Sequence, residues 1–321
     1  MRITMRSNEI PLFFATDDNY LPYMAVALRS IVDNASAKYN YKVYVLIDEL
    51  SEVSREAIAN ICCDNFSVEF VSVTERLSQL NHRLHLRDYY TKATYYRFFI
   101  PEMFPQYDKG LYLDCDIAVS GDISRLYETN LGMNLVGAVT DEVITDIPVF
   151  KDYAEKFLGI EAEKYFNAGI LVMNLREMRR IHIESRLSEL MKLHTFRVAQ
   201  DQDYLNVICY GKVKYLDGGW NKTPFPNSLR EKPPMIAHYK INFKPWHYEG
   251  VAYEEVFWEY AKKTEFYESL LSEREGYTEE KRRNDMAQYE GLKELAESEI
   301  KRAGRAVMLP ASHTFPLTGV I

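Results

Sequence analysis

The run Lys109-Gly-Leu-Tyr-Leu-Asp-Cys-Asp-Ile-Ala-Val119 joins the pattern of a buried strand to a pair of carboxylates. Residues 111–113 are apolar in succession, which is typical of a strand covered on both faces. Side chains two residues apart in an extended chain point the same way, so Asp114 and Asp116 are expected to face one site while Cys115 faces the core. The run therefore predicts a central strand that ends in two convergent acidic groups.

The chemistry of this acidic pair allows two interpretations. Like charges this close repel, which tends to raise the pKa of one of them, and a cation between them removes that repulsion. Carboxylate oxygens suit Mg²⁺, Mn²⁺ or Ca²⁺, and open α/β sheets bind ligands at the carboxyl ends of their strands. Because Asp is also common in turns, a polar exit from the strand explains the pair equally well.

The composition is that of a folded protein with a large core and an acidic balance. The 321 residues are 47% hydrophobic and 27% charged, with a formal net charge of -8, which allows one large α/β domain or two domains. The acidic balance argues against a general nucleic-acid binder but allows an anionic small molecule in a local pocket. The four cysteines lack zinc spacing and predict a reducing compartment. No run reaches the roughly 18 apolar residues of a transmembrane helix, so a cytoplasmic protein is expected.

The start of the chain alternates strand and helix patterns. Residues 10–16, 41–47 and 67–73 read as strands with helix-like segments between them. This order predicts parallel strands joined by right-handed crossovers, the first half of a doubly wound nucleotide-binding sheet. No G-x-G-x-x-G follows the first strand, so phosphates are not expected to bind in the dinucleotide manner. Asp17-Asp-Asn19 stands there instead and could hydrogen-bond a base or a ribose.

Downstream, the pattern predicts strands over 134–140, 165–174 and 235–239, and long helices over 89–104, 175–194 and 253–271. Pro101 is expected to kink or end the first of these helices, and Gly169 would let another group approach the backbone closely. Gln200-Asp-Gln-Asp203 opens a shorter apolar helix. The helix dipole favours acidic residues there, but the polar residues beside Asp201 exceed what a cap needs. A single histidine such as His238 is more often structural than a ligand.

The composition changes beyond about residue 272, where Glu, Lys and Arg dominate. One helical face in this region is apolar and consists of Met286, Tyr289, Leu292, Ala296 and Ile300. The pattern predicts an appended helix with few contacts to the rest, and so a division into residues 1–271 and 272–321. The end of this region could lie on an anionic membrane surface through Lys301, Arg302, Arg305, Val307, Met308 and Leu309. The mixed charge upstream favours solvent or a partner chain instead.

Several short blocks stand in one order between residues 11 and 247. They are Phe14-Ala-Thr-Asp-Asp-Asn-Tyr20, Thr94-Tyr-Tyr-Arg-Phe98, Leu111-Tyr-Leu-Asp-Cys-Asp116, Phe166-Asn-Ala-Gly169, Gln200-Asp-Gln-Asp203, His238-Tyr239 and Lys244-Pro-Trp-His247. Together they resemble the family 8 glycosyltransferases, the retaining group that includes bacterial lipooligosaccharide galactosyltransferases and, more distantly, glycogenin. The resemblance implies an α/β protein of the GT-A fold, with a Rossmann-like mixed sheet flanked by helices, that binds a UDP-sugar with Mn²⁺ or Mg²⁺.

The resemblance also implies roles for individual residues. Asp114, Asp116 and His238 would ligate the metal, and an imidazole among carboxylates favours Mn²⁺ over Mg²⁺. Asp17 and Asn19 would contact uracil and ribose, and the whole implied donor site comprises Ala15, Asp17, Asn19, Arg97, Asp114, Cys115, Asn167, Asp201, Gln202, His238 and Lys244. The chain departs from the family at one position. Family members often carry Gly three residues after the metal-binding His, where this chain has Ile241 followed by Asn242.

The implied reaction can be examined from its chemistry. Breaking the bond between sugar and phosphate builds an oxocarbenium-like sugar and adds negative charge to the departing UDP, which a divalent ion and Lys244 would stabilise. Gln202 would lie on the far face of the anomeric carbon, with Asp201 as the second implied catalytic residue. An amide is a poor nucleophile. This favours front-face attack by the acceptor hydroxyl, with the departing phosphate as the base.

The transferred sugar is expected to be galactose or glucose, which the sequence does not separate. The expected acceptor is a saccharide on a lipid or surface polymer, as in lipopolysaccharide synthesis. A haloacid-dehalogenase-type phosphatase also ends a strand in D-x-D, but near the start of its chain. A non-catalytic sugar-nucleotide binder is the second alternative, although the implied metal and catalytic residues are all present. The 24 tyrosines leave self-glucosylation as a third.

Overall fold

Nine strands are present in the computed structural model, which describes residues 8–80, 92–225 and 234–302. They are β1 (Glu9–Ala15), β2 (Asn40–Ile47), β3 (Phe66–Ser72), β4 (Gly110–Leu113), β5 (Ile117–Val119), β6 (Val136–Ala138), β7 (Ile170–Met173), β8 (Val213–Tyr215) and β9 (Ile236–His238). The α-helices of the same ranges are α1 (Leu21–Asn34), α2 (Glu52–Ala59), α3 (Thr74–Leu80), α4 (Ile100–Met103), α5 (Ile123–Tyr127), α6 (Glu142–Asp146), α7 (Pro148–Asp152), α8 (Leu175–Arg180), α9 (Ile183–Leu193), α10 (Asp201–Cys209), α11 (Glu254–Ala261), α12 (Tyr267–Glu275) and α13 (Glu279–Arg302). Short 3₁₀ helices cover Lys92–Phe98, Ala162–Lys164 and Gly218–Trp220, and a π-helix covers Tyr153–Leu158.

The larger sheet has seven strands in the order β3-β2-β1-β4-β7-β6-β8. The strands β3, β2, β1 and β4 pair in parallel, whereas β7 runs antiparallel to β4 and β6. Successive side chains of β1 enter different cores, with Leu12 and Phe14 on one face and Phe13 on the other. Helical residues complete both cores. The predicted α/β architecture, a mixed sheet flanked by helices, is confirmed.

The run 109–119 forms two strands that belong to different sheets. β4 stays in the large sheet, and β5 pairs with β9 in a two-stranded sheet where Ile117 stands opposite His238. The two carboxylates lie between the end of β4 and the start of β5, where the chain passes from one sheet to the other. The Asp114 amide donates to the Gly169 carbonyl at 2.7 Å. The prediction of a central strand ending in two acidic groups is confirmed. The change of sheet, which brings His238 to this point, was not predicted.

The long helices predicted from periodicity are shorter in the structure. A 3₁₀ helix covers residues 92–98 and α4 covers residues 100–103. Pro101 lies in the first turn of α4, where its missing N–H is harmless. The expectation that Pro101 kinks or ends a helix is therefore wrong, and residues 89–91 lie outside the described ranges. His182, with a φ of 54°, separates α8 from α9. The predicted helix over 253–271 is likewise divided into α11 and α12.

The helix α13 packs against the body of the protein, so the prediction of few contacts is wrong. Asp285, Ala296 and Glu299 are buried along one side of the helix, at the spacing of one helical face. Tyr289 meets the ring of Phe150 in α7, with 6.5 Å between ring centroids. The division at residues 271 and 272 remains a prediction.

The predicted membrane-contact residues lie mostly outside the described ranges. Lys301 and Arg302 end α13, whereas Arg305, Val307, Met308 and Leu309 come after residue 302. In the part of the chain that the structure describes, no helix combines the length and the apolar character needed to cross a bilayer. The four cysteines are free thiols.

Candidate active site

A cleft opens at the carboxyl ends of the central strands. Its empty space, open mouth included, measures about 1530 Å³. Its floor consists of the loops after β1 and β4 and the segment that enters β7. Open α/β sheets bind ligands at this edge, so the cleft is the candidate active site.

Asp114, Asp116 and His238 converge on the floor of the cleft. One ligand atom from each lies within 4.8 Å of the other two. Nε2 of His238 is 3.2 Å from Oδ1 of Asp116 and 3.7 Å from Oδ2 of Asp114. Two carboxylate oxygens and one imidazole nitrogen form a donor set that suits a divalent transition-metal ion.

A chain of hydrogen bonds determines which nitrogen of His238 faces the carboxylates. Oδ2 of Asp141 accepts from Nδ2 of Asn167 at 2.9 Å, which fixes the orientation of that amide. Oδ1 of Asn167 accepts from Nδ2 of Asn221 at 2.8 Å, so Oδ1 of Asn221 faces Nδ1 of His238 at 2.9 Å. Nδ1 therefore carries the proton, and the lone pair of Nε2 points at the carboxylates.

In this tautomer of His238, Nε2 and the two carboxylates all offer lone pairs to a cation. An unprotonated Nε2 and a carboxylate oxygen 3.2 Å apart both offer lone pairs, and neither donates. A metal ion, or a second proton on the imidazole, resolves that contact. The residues predicted as metal ligands, Asp114, Asp116 and His238, thus fit a divalent ion by both geometry and protonation.

Gly169 makes space for two of these side chains. A Cβ at this position would fall far inside van der Waals contact with Oδ2 of Asp114 and Cε1 of His238. The Gly169 amide also donates to Oδ1 of Asn167 at 2.9 Å, which secures the same asparagine that fixes the histidine tautomer. The predicted close approach to Gly169 is confirmed, and the approaching groups are the candidate ligands themselves.

Lys244 places an ammonium group beside the ligands. It donates to Oδ2 of Asp116 and lies 5.3 Å from the ring centre of Trp246. Burial opposes ionisation of Asp116, but the Lys244 ammonium holds the pKa of Asp116 below its ordinary value. Desolvation likewise opposes the charge on Lys244, and Asp116 outweighs it, so the pKa of Lys244 is raised. Both groups are charged at neutral pH, and the ammonium lines the cleft where an anion would bind.

Arg97 is buried between the carboxylate pair and Asp201. Its guanidinium donates to the Ala168 carbonyl and, at 3.3 Å, to Oδ1 of Asp114, and it lies 4.3 Å from the centre of the Tyr112 ring. Nε of Arg97 is 3.2 Å from Oδ2 of Asp201. Burial raises the pKa of Asp201 to about 6, although Arg97 opposes the rise. Asp201 is therefore a cleft carboxyl that titrates close to neutral pH.

Gln202 lines the cleft with its amide fully oriented. Oε1 accepts from Nδ2 of Asn167 at 3.1 Å and from the Ala168 amide at 2.9 Å. Nε2 donates to Oδ2 of Asp141 at 3.1 Å and to the Tyr165 hydroxyl at 3.4 Å. These contacts hold the amide plane in one orientation at the centre of the cleft.

Asp203 is separated from the cleft although it belongs to the same sequence block. Its carboxylate accepts from the hydroxyls of Tyr165 and Tyr153 at 2.6 and 2.9 Å and from the Ala199 amide at 3.0 Å. Burial raises the pKa of Asp203 to about 6 despite these donors. The two acidic residues of the block therefore have different surroundings. Asp201 lines the cleft, whereas Asp203 links the start of α10 to Tyr153 and Tyr165 outside it.

Three residues of the site were not predicted from the sequence: Asp141, Lys240 and Asn221. Burial opposes ionisation of Asp141, but the Lys240 ammonium at 2.8 Å and Asn167 hold the pKa of Asp141 below its ordinary value. Asp141 follows β6 as Asp114 follows β4, so an acidic residue just after a strand was the available signal. Asn221 carries no such signal, because its role depends on His238 in β9 and on Asn167, which is 54 residues away along the chain.

The predicted nucleotide residues are only partly brought together. Ala15, Asp17 and Cys115 line the cleft. Oδ1 of Asp17 accepts from the amides of Asn19 and Tyr20 at 3.0 Å each. The thiol of Cys115 donates to the Ala15 carbonyl at 3.3 Å and is buried, as predicted. Asn19 is exposed and is not part of the cleft lining.

Ile241 lines the cleft in a left-handed backbone conformation, with a φ of 57°. A β-branched residue in this region is strained by about 1–3 kcal/mol. The backbone therefore keeps the conformation that glycine, often found here in the resembling family, adopts without strain. The side chain of Asn242 is directed to α13, where Nδ2 donates to the Asp285 carbonyl at 3.3 Å.

Comparisons with known proteins agree in finding glycosyltransferases. Residues 11–250 match the sequence model described as Glycosyl transferase family 8. A candidate glycosyltransferase of Haemophilus influenzae is 30% identical over 251 residues, which cover 75% of this chain and 74% of that protein. The lipopolysaccharide 1,3-galactosyltransferase of Salmonella typhimurium is 27% identical over 259 residues, which cover 76% of this chain and 75% of that protein.

A solved structure resembles most of the chain. The galactosyltransferase LgtC, in complex with donor and acceptor sugar analogues, is 28% identical and superposes with a TM-score of 0.69. The likeness covers 81% of this chain and 100% of that one. The helix α13 follows residue 250 and so lies outside the segment that the family model matches.

Proposed function

Since the chain belongs, as predicted, to glycosyl transferase family 8 and has the GT-A fold, we propose that it transfers a hexose from a UDP-sugar to a saccharide acceptor. The hexose is galactose or glucose, and the anomeric configuration is retained. The observation that carries the proposal is the joining, in one cleft, of a metal-ligand set with the oriented amide of Gln202. The galactosyltransferase likenesses support the choice of a hexose.

The donor would lie along the floor of the cleft. In this proposal the uracil and ribose bind near Ala15, Asp17 and Cys115, and Asn19 contributes only through a movement of its exposed side chain. The diphosphate lies against Lys244, whose ammonium already neutralises a carboxylate there. The donor sugar then meets Arg97, Asn167, Asp201 and Gln202, which line the next part of the cleft.

We propose Mn²⁺ as the metal, held by Asp114, Asp116 and His238, because an imidazole among carboxylates favours Mn²⁺ over Mg²⁺. When bound, the ion supplies positive charge to the diphosphate of the leaving group. Asn221 orients His238 for this role, and Gly169 leaves the space that the ligands need. Lys244 adds a second positive charge as the leaving group becomes more anionic.

The residues on the reacting face favour front-face substitution. The amide of Gln202 is a poor nucleophile and is held by hydrogen bonds on both of its polar atoms. Asp201 is paired with Arg97 in the interior, where it can stabilise positive charge on the sugar. The acceptor oxygen forms its bond to the anomeric carbon as the bond from carbon to phosphate oxygen breaks. The acceptor proton passes to that phosphate oxygen.

The experiment that tests the proposal measures UDP released from a panel of UDP-sugars with and without Mn²⁺. Wild type should hydrolyse one UDP-hexose slowly and only with Mn²⁺, and Asp116→Asn should lose this activity. Asp64→Asn, an exposed change of the same kind, serves as the control. Absence of both turnover and Mn²⁺-dependent UDP binding in wild type would reject the proposal and leave a non-catalytic protein.

Intact-protein mass after incubation with the donor tests the mechanism. A glycosyl adduct on Gln202 or Asp201 would replace front-face attack by a covalent route, and an adduct on tyrosine would support self-glucosylation. We propose that the acceptor belongs to lipopolysaccharide or another surface polysaccharide and that the protein works at the cytoplasmic face of the membrane. Transfer to acceptors of this class, by protein recovered with the membrane fraction, is the corresponding measurement.

A further inference from the structure

The far wall of the cleft is formed by α13. Three of its side chains line the cleft: Gln288, Tyr289 and Leu292. On the same side lie Ile144 of α6 and Phe150 of α7, and the ring of Phe150 meets that of Tyr289 edge-on. One turn beyond Leu292, Ala296 is fully buried against the body. The same helical face therefore passes from the open cleft into a closed contact.

The wall is fixed to the body at both of its ends. Near its start, Oδ2 of Asp285 accepts from the hydroxyls of Tyr248 and Tyr277 at 2.6 Å each. Near its end, Glu299 is 1% exposed and lies 3.7 Å from Arg197. Side chains between two such anchors are held in place, so this wall is a permanent part of the cleft.

The order of strands shows where the wall lies relative to the reaction centre. Along β1-β4-β7-β6, Asp17 follows β1, the carboxylate pair follows β4, Asn167 precedes β7 and Asp141 follows β6. Asp141 begins α6, whose residues lead to the wall. The cleft therefore runs from the nucleotide end, past the metal ligands and Gln202, to α13, which places the wall beyond the donor sugar.

The wall presents mostly apolar surface to the cleft. Ile144, Phe150 and Leu292 present carbon surface, as does the ring of Tyr289. Oε1 of Gln288 is buried without a hydrogen-bond partner among the described residues. Several sugar hydroxyls buried here would lack partners, which is unfavourable, and an apolar group would gain from leaving water. One free acceptor matches one hydroxyl. The wall therefore suits an apolar substituent beside a single hydroxyl.

We propose that Gln288, Tyr289 and Leu292 form the acceptor subsite and select a hexoside with an apolar aglycone, with Oε1 of Gln288 accepting one hydroxyl of its sugar. This inference rests on the proposed transfer reaction. Because α13 lies outside residues 11–250, the selection of the aglycone belongs to this chain's own C-terminal helix.

The experiment compares the methyl with the phenyl β-galactoside, and the methyl with the phenyl β-glucoside, so that the members of each pair differ in the aglycone alone. Their Kd values are measured by ligand-observed NMR with UDP and Mg²⁺ present, because Mn²⁺ is paramagnetic. Burial of the phenyl ring against the wall should lower the Kd about tenfold relative to the methyl glycoside. Transfer is measured separately with UDP-galactose, UDP-glucose and Mn²⁺, where the same preference should appear in the acceptor KM.

Variants of α13 test the contribution of each side chain of the wall. Tyr289→Ala and Leu292→Ala should each shrink the preference for phenyl glycosides to about threefold or less. Gln288→Met, which keeps the length of the side chain, should raise the Kd of methyl and phenyl glycosides alike by about fivefold. Glu294→Ala changes an exposed residue of the same helix and should leave the preference as in wild type.

Equal Kd values for phenyl and methyl glycosides in wild type would overturn the inference, as would a phenyl preference that survives both alanine changes. Absence of binding by all four glycosides would overturn it too. Failure of the proposed transfer looks different, since no UDP would be released while glycoside binding persists. Urea unfolding shows whether α13 stays packed, and Gln288→Met keeps the test decisive if an alanine variant unfolds.

Discussion

Nδ1 of His238 donates to Oδ1 of Asn221 across 2.9 Å, and this bond turns the lone pair of Nε2 towards the two carboxylates. The orientation of Asn221 is itself determined by Asn167, which is fixed by Asp141. A carboxylate deep in the cleft thus sets the tautomer of a histidine that it does not touch. In the other tautomer, Nε2 would present a proton where a metal ligand needs a lone pair.

Asn221→Leu should therefore weaken metal binding without unfolding the protein. Removal of the outer hydrogen bond to a ligating histidine typically lowers metal affinity about 10–100-fold. Mn²⁺ titration calorimetry on the wild type and the variant measures this directly, without any turnover. Asn60→Leu, the same change at an exposed position, is the control. Equal Mn²⁺ affinity in both proteins would show that the tautomer does not depend on Asn221.

Gly169→Ala should disable the same site by a steric route. The added Cβ would collide with Asp114 and His238, so both side chains must move apart and the metal affinity should fall by at least about tenfold. Gly218→Ala is a matched control, because a Cβ there meets nothing within 4 Å. Retained Mn²⁺ affinity in Gly169→Ala would mean that the two side chains can relax without losing their ligand geometry.

Arg97→Met should destabilise the protein by about 3–5 kcal/mol, because it leaves the buried Asp201 without its cation. The double variant with Asp201→Asn should recover most of that loss, because neither member of the pair is then left as an unpaired buried charge. Urea unfolding of the wild type, both single variants and the double variant completes the cycle. Simple additivity of the two single changes would contradict the assigned pairing.

Asp203→Asn should change how stability depends on pH. The pKa of Asp203 is raised from 3.8 to about 6 by burial, so the folded state holds this proton more tightly than the unfolded state. Below about pH 4 this difference contributes roughly 3 kcal/mol to the free energy of unfolding. The contribution is lost as the pH rises through about 6. The variant lacks it, so wild type should lose stability relative to Asp203→Asn between pH 4 and 7. Parallel urea-unfolding profiles over this range would contradict the assignment.

Features that depend on residues close together in the sequence could be predicted. The alternation of a strand predicted that Asp114 and Asp116 converge and that Cys115 turns to the core. The order of strands and helices predicted the parallel half of the sheet. Helix lengths were predicted less accurately. The break between α8 and α9 depends on the left-handed backbone of His182, which hydrophobic periodicity does not show. The role of Asp203 was also hidden, since its tyrosine partners come from other elements.

Pairings between distant elements came only from the folded structure. His238 reaches Asp116, which is 122 residues away, because β5 leaves the large sheet and pairs with β9. Asn221, Asp141 and the wall of α13 likewise take their roles from contacts with remote parts of the chain. Local alternation and periodicity are set by backbone geometry and nearest neighbours. Which surfaces meet is set by the packing of the whole molecule, and a single stretch of sequence does not contain that information.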